Sequence, residues 1–154
     1  MKKILILSIL TLFTVLLFAE QYMVNGNQNE VRLLASDAQQ SVLELSLGHF
    51  LREEVQINGE TYWQLQLKKE GITQDAGFPQ LPYVTRSLMI PGTARMQLEI
   101  LESDYTEVEM PVAPSKGIIT RDVDPDTVPW TFGEIYQSSE SYPDALAHLS
   151  EPFI

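Results

Sequence analysis

Alternation with a period of two is what most limits this chain's choice of fold. Leu43, Leu45 and Leu47 are interleaved with Glu44 and Ser46, and Trp63, Leu65 and Leu67 with Gln64 and Gln66. Successive side chains of an extended strand point to opposite faces, so each run predicts one buried and one wet face. Between the runs, Val55-Gln56-Ile57 and Thr61-Tyr62 flank Asn58-Gly59. Both central residues of a type I′ turn need positive φ, which Asn-Gly adopts at little cost, so this spacing predicts a β-hairpin. Further strands are expected over 83–90, 95–101 and 105–110, separated by Pro91-Gly92 and Ser103-Asp104. One helical turn is expected over 143–149, with Pro143 at an early position. Many short strands with few helix signals predict an all-β chain, an antiparallel β-sandwich. The apolar ending Phe153-Ile154 reads as an unpaired edge, so the sandwich is expected to be incomplete at its C-terminal end.

Met1-Lys2-Lys3 followed by the apolar run from Ile4 to Phe18 has the form of a secretory signal peptide. The run is shorter than the roughly 20 residues a membrane-spanning helix needs, which argues against an anchor. Cleavage between Ala19 and Glu20 is expected, leaving no membrane segment and a protein exported to the periplasm, cell surface or medium. Residues 20–30 are polar and read as a flexible lead-in, with a single β domain over 31–154. Ten basic residues against 21 acidic ones give a formal charge of −11, and losing Lys2 and Lys3 with the leader makes the balance more acidic still. Such a surface repels phosphate backbones, so no nucleic-acid partner is expected. The absence of cysteine rules out disulfides, thiolate metal sites and a cysteine nucleophile.

The segment from Ala113 to Gly133 is loop-like, with prolines at 111, 114, 125 and 129 on and beside it. Proline lacks a backbone donor, so no central strand is expected to run through this stretch. A long loop that carries Ile118, Ile119, Val128, Trp130 and Phe132 is too apolar for disorder, and ordered loops of this length are commonly functional. It holds one arginine, Arg121, beside Asp122, Asp124 and Asp126. Read from the residues alone, Arg121 is a loop cation paired with Asp122 or Asp124.

The segment resembles one in the propeptides of gingipain-type cysteine peptidases, peptidase family C25. The resemblance extends to Val31-Arg32-Leu33-Leu34, to the Gly-x-Pro-x-Leu-Pro run beginning at Gly77 with the strand after it, to Tyr142-Pro143, and to Leu149 through Ile154. These lie in the family's order and cover most of the chain from residue 31. The resemblance implies a propeptide that holds the catalytic domain of a C25 cysteine peptidase latent, in cis or in trans, and assists its folding. It implies that Arg121 enters the specificity pocket as a substrate mimic, with Ile119 and Thr120 before it and Asp122 after it. Lys116, Pro79 and Leu81 are then expected as supporting contacts. The family continues into further propeptide and a catalytic domain, whereas this sequence stops at Ile154.

Other chemistry is weaker. Arg86 lies within an expected strand and is expected to pair across a sheet, while Arg95 follows a turn; neither sits on a proline-braced loop. Asp122-x-Asp124-x-Asp126 superficially fits a calcium loop, but Thr127 stands where glycine is wanted and Gly133 where glutamate is wanted. No metal or other cofactor is expected. Ser115-Lys116 mimics a nucleophile–base pair without its surrounding context, and His49 and His148 have no nucleophile motif near them. The rival from another class is an exported adhesive or carbohydrate-binding sandwich, which would display an exposed row of aromatic rings on one face.

Overall fold

The computed structural model describes residues 20–24, 28–92 and 94–150. The expected leader, Ala19 and the Phe153-Ile154 edge lie outside the described residues. Within them the chain is strand-rich and antiparallel, with no α-helix. The strands are β1 (Glu20–Met23), β2 (Glu30–Ser36), β3 (Ser41–Ser46), β4 (His49–Ile57), β5 (Glu60–Gln66), β6 (Gly71–Ile72) and β7 (Pro82–Tyr83). They form a three-stranded sheet in the order β1-β4-β5 and two ribbons, β2-β3 and β6-β7.

The β4–β5 hairpin is as the sequence predicts. Asn58 and Gly59 take φ of 53° and 86°, and the strands run in register from Ile57↔Glu60 to Leu51↔Gln66. The polar lead-in differs from expectation, because Glu20–Met23 is a strand on the far edge of β4. Its apolar content is low, but its side chains have specific partners. Glu20 lies opposite Arg52 and bonds its guanidinium at 2.6 and 3.0 Å, and Tyr22 stacks on Phe50 with centroids 5.0 Å apart. Beyond it, the Asn29 side chain accepts from the Gly48 and His49 N–H groups and donates to the His49 carbonyl.

Two other expectations are corrected. On the β2–β3 ribbon Val31↔Leu45 and Leu33↔Leu43 do share one face, yet Leu33, Leu43 and Leu45 are exposed. A two-stranded ribbon has no second layer of its own, and no other described element covers this one. Of the strands expected over 83–110, only Pro82–Tyr83 is paired, to Gly71–Ile72. Met96, Leu98 and Ile100 alternate as a strand should, but without a neighbouring edge to bond they stay exposed and unladdered among the described residues. The helical turn expected over 143–149 is also absent: these residues form bends, with Leu146 and Leu149 exposed. A helix this short gains little unless one face is buried. The helical geometry falls instead in two 3-10 turns, Pro125–Thr127 and Glu134–Gln137.

The core lies where the proline-rich stretch crosses the sheet. Ile57 and Leu65 from the hairpin are buried with Ala113, Pro114, Ser115 and Gln80. Residues 113–115 are buried in this crossing, with Val112 half-buried and Pro111 exposed, and, as the prolines lead one to expect, no regular strand forms there. Trp63 N donates to the Pro111 carbonyl at 2.8 Å, and Ala113 N donates to the Trp63 carbonyl at 2.9 Å. On the other side, Gln80 N donates to the Ala113 carbonyl, Ser115 N to Phe78, and Gly77 N to Ser115. The segment itself donates only from Ala113 and Ser115 in these bonds, and its prolines occupy positions from which no donor is asked. The result is two isolated bridges, Trp63↔Val112 and Pro79↔Pro114, instead of a regular strand.

Candidate functional site

The loop from Lys116 to Trp130 rises from this buried crossing. Gly117 makes the exit, at φ 82°, with its N–H donated to the Ser115 hydroxyl at 3.1 Å. At the far end Gly133 N donates to the Gly77 carbonyl at 2.8 Å. A Cβ on Gly77 or on Gly133 would lie 3.0–3.1 Å from the other's backbone, so the far end of the loop docks on the Gly77 turn through main chain, while Gly117 at the near end lies against Ala76. Phe132 then packs on Tyr62 (5.1 Å) and edge-on to Tyr136 (4.9 Å), whose hydroxyl donates to the Val112 carbonyl at 2.9 Å. Burial, with the Tyr62 phenol nearby, pushes the Tyr136 hydroxyl well above the ordinary phenol range. Tyr142 adds an outer tie, donating to Asp75 at 2.8 Å while its ring rests on Phe78.

Within the loop, Val123 N donates to the Thr120 carbonyl at 3.1 Å, closing a turn with Arg121 and Asp122 at its centre. Asp124 caps the following 3-10 turn, its Oδ1 accepting from Asp126 N at 3.0 Å and its carbonyl from the Thr127 hydroxyl at 2.7 Å. The Asp122 carboxyl is held below the usual carboxylate range, first by the Thr120 hydroxyl and then by a backbone N–H. Asp124 is thus a cap. Among the described residues no cluster of three or more acidic or histidine side chains is arranged to hold a metal.

Arg121 is exposed. No carboxylate lies within 4.0 Å of it among the described residues, so the local pairing with Asp122 or Asp124 does not form. The contrast with other arginines is sharp. Arg52 pairs with Glu20, Arg32 with Glu30, and Arg86 with Glu70 at 2.8 Å, the last an ion pair between residues just outside β6 and β7 and not the expected cross-strand pair. Arg95 is also exposed, but on a stretch without ladder bonds. Ile119 is half-buried and, with Lys116 and Trp130, lines a groove of about 610 Å³ between the loop and β5, where Gln64, Gln66 and Gln80 also face. Thr120 and Asp122 are exposed.

Lys116 points across the loop, donating to the Pro125 carbonyl at 2.8 Å with its ammonium 4.3 Å from the Trp130 ring centre. The Ser115 hydroxyl accepts from Gly117, so the two side chains do not act as a pair. Pro79 and Leu81 are half-buried, Pro79 bridging Pro114 and Leu81 exchanging bonds with Thr73. Both therefore hold the base of the loop. The bracing by Thr73, Asp75, Gly77 and Gly133 was not read from the sequence; the signal available was a glycine at each end of the loop. The rival aromatic row is also accounted for. Tyr22, Phe50 and Trp63 do share a face of the sheet, but the Arg52 guanidinium sits over the Tyr22 and Trp63 rings at 5.0 and 4.4 Å, a filled cation–π site.

The core of this small all-β scaffold thus anchors one long exposed loop at both of its ends. The chain belongs to the C25 propeptide family, whose profile (Propeptide_C25) matches residues 20–154. It is 32% identical over 131 residues to gingipain R2 of Porphyromonas gingivalis, covering 84% of this chain and 18% of that protein. It is 36% identical over 141 residues to gingipain R1 of the same organism, covering 89% of this chain and 14% of that one. The chain thus spans less than a fifth of the curated relatives it matches. Among solved structures it is similar to a chain of the complex of Porphyromonas gingivalis RgpB pro- and mature domains. The TM-score is 0.75 at 30% identity, over 80% of this chain and 65% of that one. The chain is a pro-region, and it has no cysteine to serve as a nucleophile. No helix of the described residues is long and apolar enough to cross a membrane.

Proposed function

We propose that this pro-region holds a C25 cysteine peptidase latent and assists its folding, with Arg121 entering the primary specificity pocket as a substrate mimic. The observation that carries the reading is the exposed, unpaired guanidinium of Arg121 at the turn of a loop tied at both ends. A guanidinium always carries its charge and offers a planar fork that matches a carboxylate, the group an arginine-selective pocket needs. A loop already ordered loses less freedom on binding than a slack one. Ile119 and Thr120 precede Arg121 in the cleft and Asp122 follows it, while the flank carrying Lys116, Pro79 and Leu81 supplies supporting contacts.

The partner is the catalytic domain of such a peptidase, in cis or in trans. The solved relative, a complex of pro- and mature domains, supports this. Cleavage after Arg121 is a processing step that leaves both halves attached through the Gly77–Gly133 contact and the buried crossing. The leader read at residues 1–19, cleaved before Glu20, directs the protein to the periplasm, the cell surface or the medium.

The test is an inhibition constant against an arginine-specific C25 peptidase, with a thermal melt of each variant. Arg121→Ala is expected to weaken inhibition by about 2–5 kcal/mol, because the pocket carboxylate is left buried and unpaired. Arg121→Lys is expected to fall between, since an ammonium cannot reproduce the fork. Unchanged inhibition by a folded Arg121→Ala protein overturns the reading, and a loss confined to Arg95→Ala moves the blocking segment to residue 95.

A further inference from the structure

We infer that Lys116 is a positioning residue, a latch that closes the Arg121 loop from inside by joining its outgoing limb to its far turn and its returning limb. The inference rests on the reading of Arg121 above for its purpose, though not for its test. Three contacts define the latch. The Lys116 backbone follows directly on buried Ser115, so one end is fixed to the core. Its ammonium donates to the Pro125 carbonyl at 2.8 Å, and that carbonyl is held in place by the 3-10 turn, where it also accepts from Val128 N at 3.3 Å. The same ammonium sits 4.3 Å from the ring centre of Trp130, on the limb that returns to the scaffold.

In a chain of net charge −11, the choice of partner is informative. Lys116 has no carboxylate within 4.0 Å among the described residues and uses a fixed carbonyl and a ring face instead. A surface ion pair is interchangeable and screened by salt; a carbonyl on one limb and a ring on the other hold a single loop shape. Without the latch the loop is one long excursion closed only at its ends. With it the excursion is divided into two shorter ones, which leaves Arg121 fewer conformations to occupy.

Limited digestion with trypsin reads this without any C25 enzyme. The quantity is the rate of cleavage after Arg121 relative to that after Arg95 in the same digest, followed by mass spectrometry. Seating Arg121 in a pocket leaves the turn intact, but cutting the bond after it requires the Thr120–Val123 turn to unfold, so opening governs cleavage. Lys116→Met keeps the aliphatic stem and removes the charge and the donor, and is expected to raise the ratio about tenfold. Trp130→Leu is expected to raise it as well. Lys116→Arg, which can still donate and stack, is expected to stay near the wild-type ratio; under a merely space-filling role Lys116→Met would stay there too. A wild-type ratio in Lys116→Met, or an equally raised ratio in Lys116→Arg, overturns the latch. If Lys116→Met opens the loop while Arg121→Ala leaves C25 inhibition intact, the latch stands and the pocket reading falls.

Discussion

The meeting of Gly77 and Gly133 makes a quantitative prediction, because four glycines of this chain separate its two causes. Gly59 has φ 86° and open space around a built Cβ, so Gly59→Ala meets only the backbone penalty. Gly133 has an ordinary φ of −77° but its Cβ would lie 3.0 Å from the Gly77 carbonyl oxygen, so Gly133→Ala meets only the contact. Gly77 has φ 83° and its Cβ would lie 3.1 Å from Gly133 N, so Gly77→Ala meets both. Gly92 has neither.

A left-handed alanine costs about 1–2 kcal/mol, offset by about 0.4–1 kcal/mol from the stiffer unfolded chain. Gly59→Ala should therefore destabilise by about 1 kcal/mol. The contact forces the two backbones apart by a few tenths of an ångström and loosens the 2.8 Å bond from Gly133 N to the Gly77 carbonyl. Losing such a bond costs about 0.5–1.5 kcal/mol, which puts Gly77→Ala at about 2 kcal/mol. Gly92→Ala should be neutral or slightly stabilising. With about 2–4 °C of melting temperature per kcal/mol at this chain length, the order Gly92, Gly133, Gly59, Gly77 is resolvable by thermal melts. The reasoning is refuted if Gly77→Ala melts with Gly59→Ala, for then the close approach contributes nothing, or if Gly133→Ala melts lowest.

Two further outcomes are expected. Tyr136→Phe removes the donor to the Val112 carbonyl and should destabilise by about 1–2 kcal/mol, read as a shifted urea midpoint with an unchanged slope. The lowered pKa values of Asp122 and of Glu70, the latter caused chiefly by its bonds from Arg86, give a pH dependence of known sign. A depressed carboxyl contributes stability above its unfolded value of about 4 and loses it as pH falls through the lower folded value. Carbon-13 titrations of the two carboxyls should therefore have midpoints below those of free carboxylates; a midpoint at or above the ordinary value for Asp122 contradicts its contact with Thr120.

The parts legible in the sequence are those set by neighbours along the chain. Asn58-Gly59 fixes its hairpin because the φ requirement is local, and the long ordered loop is legible because proline and buried aromatics leave it few alternatives. The crossing at 111–115 was not legible. Proline propensity describes what a strand needs at every residue, whereas this segment needs donors only at Ala113 and Ser115. β1 was hidden because its stability comes from Arg52 and Phe50, remote in sequence, and not from its own composition. The alternating leucines of β3 and residues 96–100 show the converse: period two identifies which side chains share a face but not whether another layer covers it. At the site, Arg121 stood out as one arginine on a braced loop. The inward direction of Lys116 depended on where Pro125 and Trp130 return, a tertiary fact.

The buried crossing also has a consequence for timing. The β4–β5 hairpin closes over a two-residue turn and can form early, as local contacts do. Segment 111–115 has nothing of its own to hold it; at Ala113 it passes from one partner, Trp63, to another, Gln80, both far back along the chain. Bringing it in requires both partners to be already in place, so it is seated late. The loop it carries takes its shape only when that seating is complete. The turn that carries Arg121 therefore depends on contacts made far back along the chain and not on the loop's own residues alone.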